Sequence, residues 1–291
     1  MMRVLRLTKK NMISAVLVLL LAFPGTLFGW HNPFLKDYTG QPELVVLVPS
    51  YNNEKFFYRN LDSIVHQKLD IPFKLIYVND CSTDKTGQLV ESYIRVHGLE
   101  SMCTVIHNET RIGALANQYN VIHTLSDHAL VVQIDGDDFL AHDRALERVL
   151  QEYSDKDIWI SYSKMIYYPE KRNAGWSCKQ FPQYVLDTNS FRSYDWASSH
   201  LKTFYAGLFK RIKREDLLYQ GDFFQMAWDL AYMFPMLEMA SRGHIAFIPD
   251  VLYIYNHHNP ISDHNKDLGL QKRLDRLIRG MSKYDPIELL D

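Results

Sequence analysis

The ten residues Val131 to Leu140, VVQIDGDDFL, carry the densest chemistry in the chain. An apolar, β-type run from Ala129 to Ile134 ends abruptly in three carboxylates, Asp135, Asp137 and Asp138, interrupted only by Gly136. A strand that delivers carboxylates to its C-terminal end suits a hard divalent cation, because Mg²⁺ and Mn²⁺ prefer oxygen ligands. A solvated acidic turn is the other reading of such a cluster, and the neighbouring elements decide between them.

Those elements alternate. Leu44 to Val48 is a short, continuous aliphatic run between Pro42 and Pro49, the pattern of a strand buried on both faces. Turn chemistry follows at Pro49-Ser50-Tyr51-Asn52-Asn53, then an amphipathic helix from Phe57 to Gln67. Phe73 to Val78 is a second strand that runs into Asn79 to Asp84, where Ser82 or Thr83 is placed to cap the next helix. Strands at Cys103 to Ile106, Ala129 to Ile134 and Ile158 to Tyr162 alternate with helices at Ile112 to Leu125 and Arg144 to Tyr153. The pattern predicts an α/β fold with a mostly parallel central sheet flanked by helices. Ligands bind such sheets outside the carboxyl ends of the strands, where the loops after the first, second and fourth strands converge. No G-x-G-x-x-G follows the first strand, which removes the Rossmann dinucleotide reading.

Beyond Ser163 the periodicity fades. Met165 to His200 is irregular and aromatic-rich, the composition either of a binding loop for sugar rings and bases or of plain packing. Phe223 to Met239 reads as a helix that Pro235 should kink or divide. Short strands are expected at Ile245 to Ile248 and Val251 to Tyr255, followed by Asn256-His257-His258-Asn259-Pro260. A C-terminal amphipathic helix carries Leu270, Leu274, Leu277 and Met281.

With 291 residues, 47% of them hydrophobic, the chain can bury a sizeable core. A net charge of −2 and the lack of a Lys/Arg block in the body of the chain give no reason to expect nucleic acid as a partner. Cys81, Cys103 and Cys178 are odd in number and widely spaced, which fits free thiols better than disulfides or zinc. At the N-terminus, Arg3, Arg6, Lys9 and Lys10 precede the apolar run Met12 to Phe23. Residues 1–30 therefore read as a membrane anchor or a cleaved signal peptide, with 31–42 as linker. An anchor places the body of the chain on the non-cytoplasmic side, and cleavage gives a secreted protein. The one glycosylation sequon, at Asn108, falls in a loop expected to face the ligand, where a glycan would obstruct the site, and this pulls against a lumenal location.

Four stretches in order, PSYNNE at 49–54, VNDCSTDKTG at 78–87, TRIGALANQYN at 110–120 and IDGDDF at 134–139, resemble the nucleotide-binding half of family 2 glycosyltransferases with the GT-A fold. The resemblance implies a single GT-A domain over 43–265, with a nucleotide-sugar-binding half at 43–140 and an acceptor half at 141–265, followed by a helix and tail at 266–291. It implies a metal-dependent, inverting transfer from a nucleotide-diphosphate sugar, UDP-linked by preference, to a glycan, lipid or protein hydroxyl. Pro49 and Tyr51 would pack on the base, Asp80 would accept a hydrogen bond from it, and Arg111 would reach the nucleotide or diphosphate. Asp135 would meet ribose or the metal sphere, and Asp137 would be the main ligand of Mn²⁺ or Mg²⁺, with Asp138 as its rival. His257 or His258 stands where some relatives offer the metal a histidine. Asp229 would be the general base and Asp222 its runner-up, with Trp228 shaping a sugar subsite and His200 and Lys202 bordering the acceptor. The usual Glu-Asp pair is absent at 228–229. A nucleotidyltransferase or phosphohydrolase could use the same carboxylates, but the chain has neither a phosphate-cradling glycine loop after the first strand nor a D-x-D-G-T motif. A non-catalytic nucleotide-sugar-binding protein is the other rival.

Overall fold

The computed structural model of the protein describes residues 43–154, 157–174, 177–261 and 267–290. The expected anchor or signal segment and its linker lie outside these residues. Among them, no helix is long and apolar enough to cross a membrane.

The described residues build an eight-stranded sheet around β1 (Leu44–Ser50), all of whose seven residues are buried. β1 pairs in parallel with β2 (Phe73–Asn79) on one side and with β4 (Leu130–Gln133) on the other, and β2 pairs in parallel with β3 (Cys103–His107). A strand enclosed by neighbours at both edges and by helices on both faces needs apolar side chains at every position, hence the uninterrupted run read from the sequence. The register aligns Ser50 with Asn79 and Leu47 with Gln133, so the polar loops that follow leave from one edge. The crossovers are α1 (Phe57–Val65), α2 (Thr86–Val96) and α3 (Ala114–Ile122). Neither Ser82 nor Thr83 caps α2. Asp84 accepts from the Thr86 backbone N–H, while Ser82 and Thr83 hydrogen-bond to Asn52 across the loops.

After β4 come the two-residue strand β5 (Phe139–Leu140), α4 (Ala145–Ser154) and β6 (Ile160–Tyr168), which is longer than the sequence run suggests. A short helix, α5 (Gln183–Asp187), then leads to β7 (Lys202–Tyr205), which was not expected. β7 runs antiparallel between β4 and β6 and sets Lys202 opposite Gln133. It breaks the parallel pattern and carries Lys202 to the sheet's functional edge. α6 (Ala206–Lys210) and a hairpin of β8 (Leu218–Tyr219) and β9 (Asp222–Phe223) follow.

Pro235 does not divide its helix: α7 (Trp228–Met239) runs through it. Every residue from Leu230 to Met239 is buried. Burial of such side chains is worth roughly 1.5–3 kcal/mol each, which outweighs the ~3 kcal/mol that an internal proline costs. The two strands expected at the end of the sheet are one, β10 (Ile245–Asn256), parallel to β6 and with register shifts beside Pro249 that absorb the missing donor. The C-terminal helix, α8 (Leu268–Arg279), is no detached tail: it buries Leu274 and Ile278. Beneath it, Arg192 and Glu238 form a buried ion pair.

Candidate active site

The carboxylate turn is locked from three sides. The Asn60 side-chain amide donates to the backbone carbonyls of Asp135 (3.0 Å) and Asp138 (2.7 Å). A methyl group on Gly136 would come within 2.5 Å of the Ser50 hydroxyl and 2.7 Å of the Asn53 amide, so only glycine lets this turn approach the β1 loop. The Gly136 N–H also donates to the Pro49 carbonyl (3.1 Å). This packing gives the three aspartates different fates. Asp138 is buried, accepting from the Tyr253 hydroxyl (2.7 Å) and the Asn256 N–H (2.7 Å). Asp135 and Asp137 line a cavity of about 940 Å³ at the carboxyl edge of the sheet. The Asn259 amide donates to Asp137 (2.7 Å), and the Gln133 amide to Asp135 (2.7 Å).

Burial raises the pKa of Asp135, opposed by Lys202 and Gln133. Burial pushes Asp138 up further, and the negative charges of Asp137 and Asp135 add to the shift. Crowded carboxylates that resist ionisation are what a divalent cation relieves, and two oxygen-donor side chains facing the cavity fit Mg²⁺ or Mn²⁺. Of the rivals for that role, Asp137 opens to the cavity, whereas Asp138 has both oxygens engaged in the wall behind it. The Asp135, Asp138 and His200 ligand atoms also lie within 4.8 Å of one another.

At one part of the cavity wall stand Pro49, Tyr51 and Arg111, with the Arg111 guanidinium 3.9 Å from the centre of the Tyr51 ring. Asp80 is not among the lining residues, contrary to the role expected of it. It is buried and accepts from the Asn108 amide (2.7 Å), the Ile112 N–H (3.0 Å) and the Gly113 N–H (2.8 Å). Its carboxylate is thus consumed in fixing the loop that carries Arg111, and a base would have to compete with three donors. Asn108, the sequon residue, is tied to Asp80 and to Asn117 (2.7 Å).

Trp228 and Asp229 line the cavity from the first turn of α7. Burial raises the Asp229 pKa; Lys202 opposes this and the charge of Asp135 adds to it. A carboxylate with a raised pKa in a cavity has the character of a general base. Asp222 is exposed on the β8–β9 hairpin and is not among the lining residues. His200 stacks on Tyr253 with ring centroids 4.5 Å apart and 3° between planes. Burial, reinforced by Lys202, holds its imidazole pKa well below the usual value, so it is neutral near pH 7. Lys202 is fully buried, 3.4 Å from His200 Nδ1 and 5.7 Å from the centre of the Trp228 ring. His257 lines the cavity, but His258 does not: it is drawn to Glu170, with 2.8 Å between Nε2 and Oε1.

Several residues that build or support the site escaped the sequence reading. Gln133 sits inside an apolar strand, where a lone glutamine is a usable signal. Asn259 stands in the His257-His258-Asn259 turn, and only the fold shows that it reaches Asp137. Gln271, Lys272, Asp275 and Arg276 of α8 also line the cavity, although a helix after the irregular region gave no hint of contact with the carboxylates.

Residues 45–218 match the profile of glycosyl transferase family 2. The chain is similar to the poly(ribitol-phosphate) β-N-acetylglucosaminyltransferase TarS of Staphylococcus aureus, 36% identical over 98 residues, covering 33% of this chain and 16% of TarS. The uncharacterised glycosyltransferase EpsJ of Bacillus subtilis is 29% identical over 100 residues, covering 34% of this chain and 27% of EpsJ. The matches thus span well under half of these relatives. Among solved structures, S. aureus TarS 1–349 in complex with UDP-GlcNAc superposes with a TM-score of 0.58 at 20% identity, covering 81% of this chain and 65% of that one. A mannosyltransferase of Pyrobaculum calidifontis in complex with GDP-Man and Mn²⁺ gives 0.51 at 19% identity, covering 82% and 61%. The shared fold is the expected GT-A arrangement.

Proposed function

Because the chain belongs to glycosyl transferase family 2, we propose that it transfers a sugar from a nucleotide-diphosphate donor to a hydroxyl of a glycan, lipid or protein, with inversion at the anomeric carbon. The observation that carries this reading is that Asp137 and Asp229, nearly a hundred residues apart in sequence, line one cavity. At about 940 Å³ that cavity is at the upper end of small-molecule sites, roomy enough for a donor and an acceptor together.

In this reading the nucleoside lies against Tyr51 and Arg111, and the diphosphate lies over the carboxylate turn. A divalent cation, Mn²⁺ or Mg²⁺, held by Asp137 and Asp135 would neutralise charge developing on the leaving diphosphate. Asp229 takes the acceptor hydroxyl proton as that oxygen attacks, and the charge of Lys202 opposes the rise in its pKa that burial causes. Trp228 offers an apolar face for a sugar ring beside the base. A uridine donor is supported by the UDP-GlcNAc and UDP complexes of the structural neighbours. The basic residues before the apolar run at 12–23 support an N-terminal anchor or signal, with this cavity on the non-cytoplasmic side.

Product analysis with UDP-sugars tests the reading. Transfer releases an intact nucleoside diphosphate, whereas a nucleotidyltransferase or phosphohydrolase cleaves within the diphosphate. Loss of a general base costs about 10²–10⁴-fold in rate. Asp229→Asn should fall by that factor while donor affinity stays within twofold, and Asp222→Asn should keep wild-type turnover. Normal turnover by Asp229→Asn removes the base from this site. A protein that binds donor yet shows no transfer with any acceptor is a binding protein.

A further inference from the structure

The geometry points to an anion site at the start of α1, formed by Lys55, Arg59 and the Asn256 side chain and shaped for a phosphate group. It does not rest on the transferase reading.

A cavity of about 230 Å³ lies there, and among the described residues Asp137 alone lines both it and the larger cavity. The sheet register builds one part of its lining. β6 and β10 pair up to the rung Tyr168–Asn256, and β10 sets Ile254 opposite Phe139 of β5, so Phe139, Tyr168 and Asn256 reach the pocket from three neighbouring strands. The chain entering α1 supplies the rest through Lys55, Phe56, Tyr58 and Arg59.

This lining calls for a negative ligand. The Arg59 guanidinium lies 4.6 Å from the centre of the Tyr168 ring and 5.2 Å from that of Phe139, so aromatic faces hold it and no anion is used to do so. Neither Arg59 nor Lys55 pairs with a carboxylate among the described residues. The first turn of α1 contains no acidic residue and no side chain caps it, so the positive end of the helix dipole adds to the two cations. Asn256 contributes an uncommitted donor. It is 1% exposed, and its Oδ1 accepts from the His258 N–H (3.2 Å), which fixes the orientation of the amide. Its Nδ2 is buried with no partner among the described residues. A buried donor left unpaired is costly, and a ligand oxygen satisfies it. Against these stands one carboxylate of the lining, Asp137, which already accepts from the Asn259 amide (2.7 Å). Two cations, a helix N-terminus and an amide match the several acceptor oxygens of phosphate, two of which a guanidinium can hold at once. The volume takes a phosphate with a small substituent and falls short of the roughly 300–1,000 Å³ that larger ligands occupy.

The ligand is therefore either free phosphate or the phosphate group of a larger molecule, and calorimetric titration of the full chain tests both. Inorganic phosphate and methyl phosphate are the probes, at constant ionic strength and without divalent cations. Saturable binding of both assigns the site to an esterified phosphate, and binding of inorganic phosphate alone assigns it to the free ion. Lys55→Met and Arg59→Gln should each weaken binding about tenfold, the effect of losing one charge-assisted bond. Asn256→Asp, which keeps the acceptor for His258 and replaces the donor with a like charge, should abolish it. Arg111→Gln, in the larger cavity, should leave it within about twofold. Lys55 and Arg59 are exposed, so their variants should keep the wild-type circular dichroism. No saturable binding of either probe by the wild type, unchanged binding by the Lys55→Met/Arg59→Gln double variant, or binding lost in Arg111→Gln each overturns the site.

Discussion

Arg192→Met should cost about 3–5 kcal/mol of stability, the usual penalty for stripping one partner from a buried ion pair. Arg192 and Glu238 are 4% and 0% exposed and meet through two parallel bonds, Nε to Oε1 at 2.6 Å and Nη2 to Oε2 at 2.9 Å. The remaining guanidinium nitrogen donates to the Ile278 carbonyl at the end of α8 (2.6 Å), and Glu238 also accepts from the Tyr284 N–H (3.0 Å). Methionine fills similar volume but leaves the Glu238 carboxylate with the Tyr284 amide alone, while the Ile278 carbonyl keeps the Met281 N–H. Replacing both partners removes the stranded charge. Arg192→Met/Glu238→Leu should therefore be more stable than Arg192→Met, although still below wild type because the Tyr284 amide loses its partner at about 1–3 kcal/mol. Urea denaturation followed by tryptophan fluorescence measures all three proteins. Because α8 lines the cavity, ligand affinity should fall in the single variant as well. A loss below about 1 kcal/mol for Arg192→Met, or a double variant less stable than the single, refutes the idea that this pair anchors α8.

Three further perturbations reach the site from different directions. Gly136→Ala places a methyl against Ser50 and Asn53, and at the usual ~1–3 kcal/mol for overpacking it should lower the urea midpoint and weaken ligand binding; an unchanged midpoint would show that the turn yields freely. Asp80→Asn turns an amide toward backbone N–H groups that now donate to a carboxylate, so stability should drop by about 1–3 kcal/mol and nucleotide affinity should fall through displacement of Arg111. Unchanged nucleotide affinity would sever that link. His200 stays neutral in the fold because burial and Lys202 depress its pKa, while in the unfolded chain it protonates near the ordinary value. Its stabilising contribution is therefore complete above about pH 6.5 and is lost as pH falls below it, at up to about 1.4 kcal/mol per pH unit for one proton. His200→Phe, which keeps a ring on Tyr253, should flatten the stability profile between pH 6.5 and 5.5. Parallel profiles for the two proteins would remove His200 as the source.

The sequence was most legible where local pattern and burial agree. The aliphatic run of β1 and the alternation through β4 were readable because strands enclosed on both sides are built mainly of apolar side chains, and the abrupt end of such a run marks a sheet edge. Asp135 and Asp137 were legible for the same reason, whereas Asp229, on a helix, was reached only through the resemblance to the family. β7 was not readable: four residues, LysThrPheTyr, give too short a pattern, and its pairing with β4 is set by partners some seventy residues away. Asp80 shows another limit, since an exposed-looking loop aspartate gives no sign that three donors will fold back on it. The choice between Asp137 and Asp138 could not be made from spacing. It depends on Tyr253 and Asn256, which reach Asp138 only after β10 has joined the sheet. α8 was visible as an amphipathic helix, but its place on the cavity wall follows from tertiary packing that its own pattern does not carry.

The central claim is that a nucleotide-sugar lies over the carboxylate turn through a cation on Asp137. The direct measurement is binding of UDP-GlcNAc by thermal shift, with and without Mn²⁺, in the wild type and in Asp137→Ala. A ligand at a hundred times its Kd stabilises the fold by about 2.7 kcal/mol, well within reach of the method. The account predicts stabilisation that requires Mn²⁺ in the wild type and is absent in an Asp137→Ala protein that melts normally without ligand. Stabilisation of equal size without metal, or undiminished in Asp137→Ala, would contradict it.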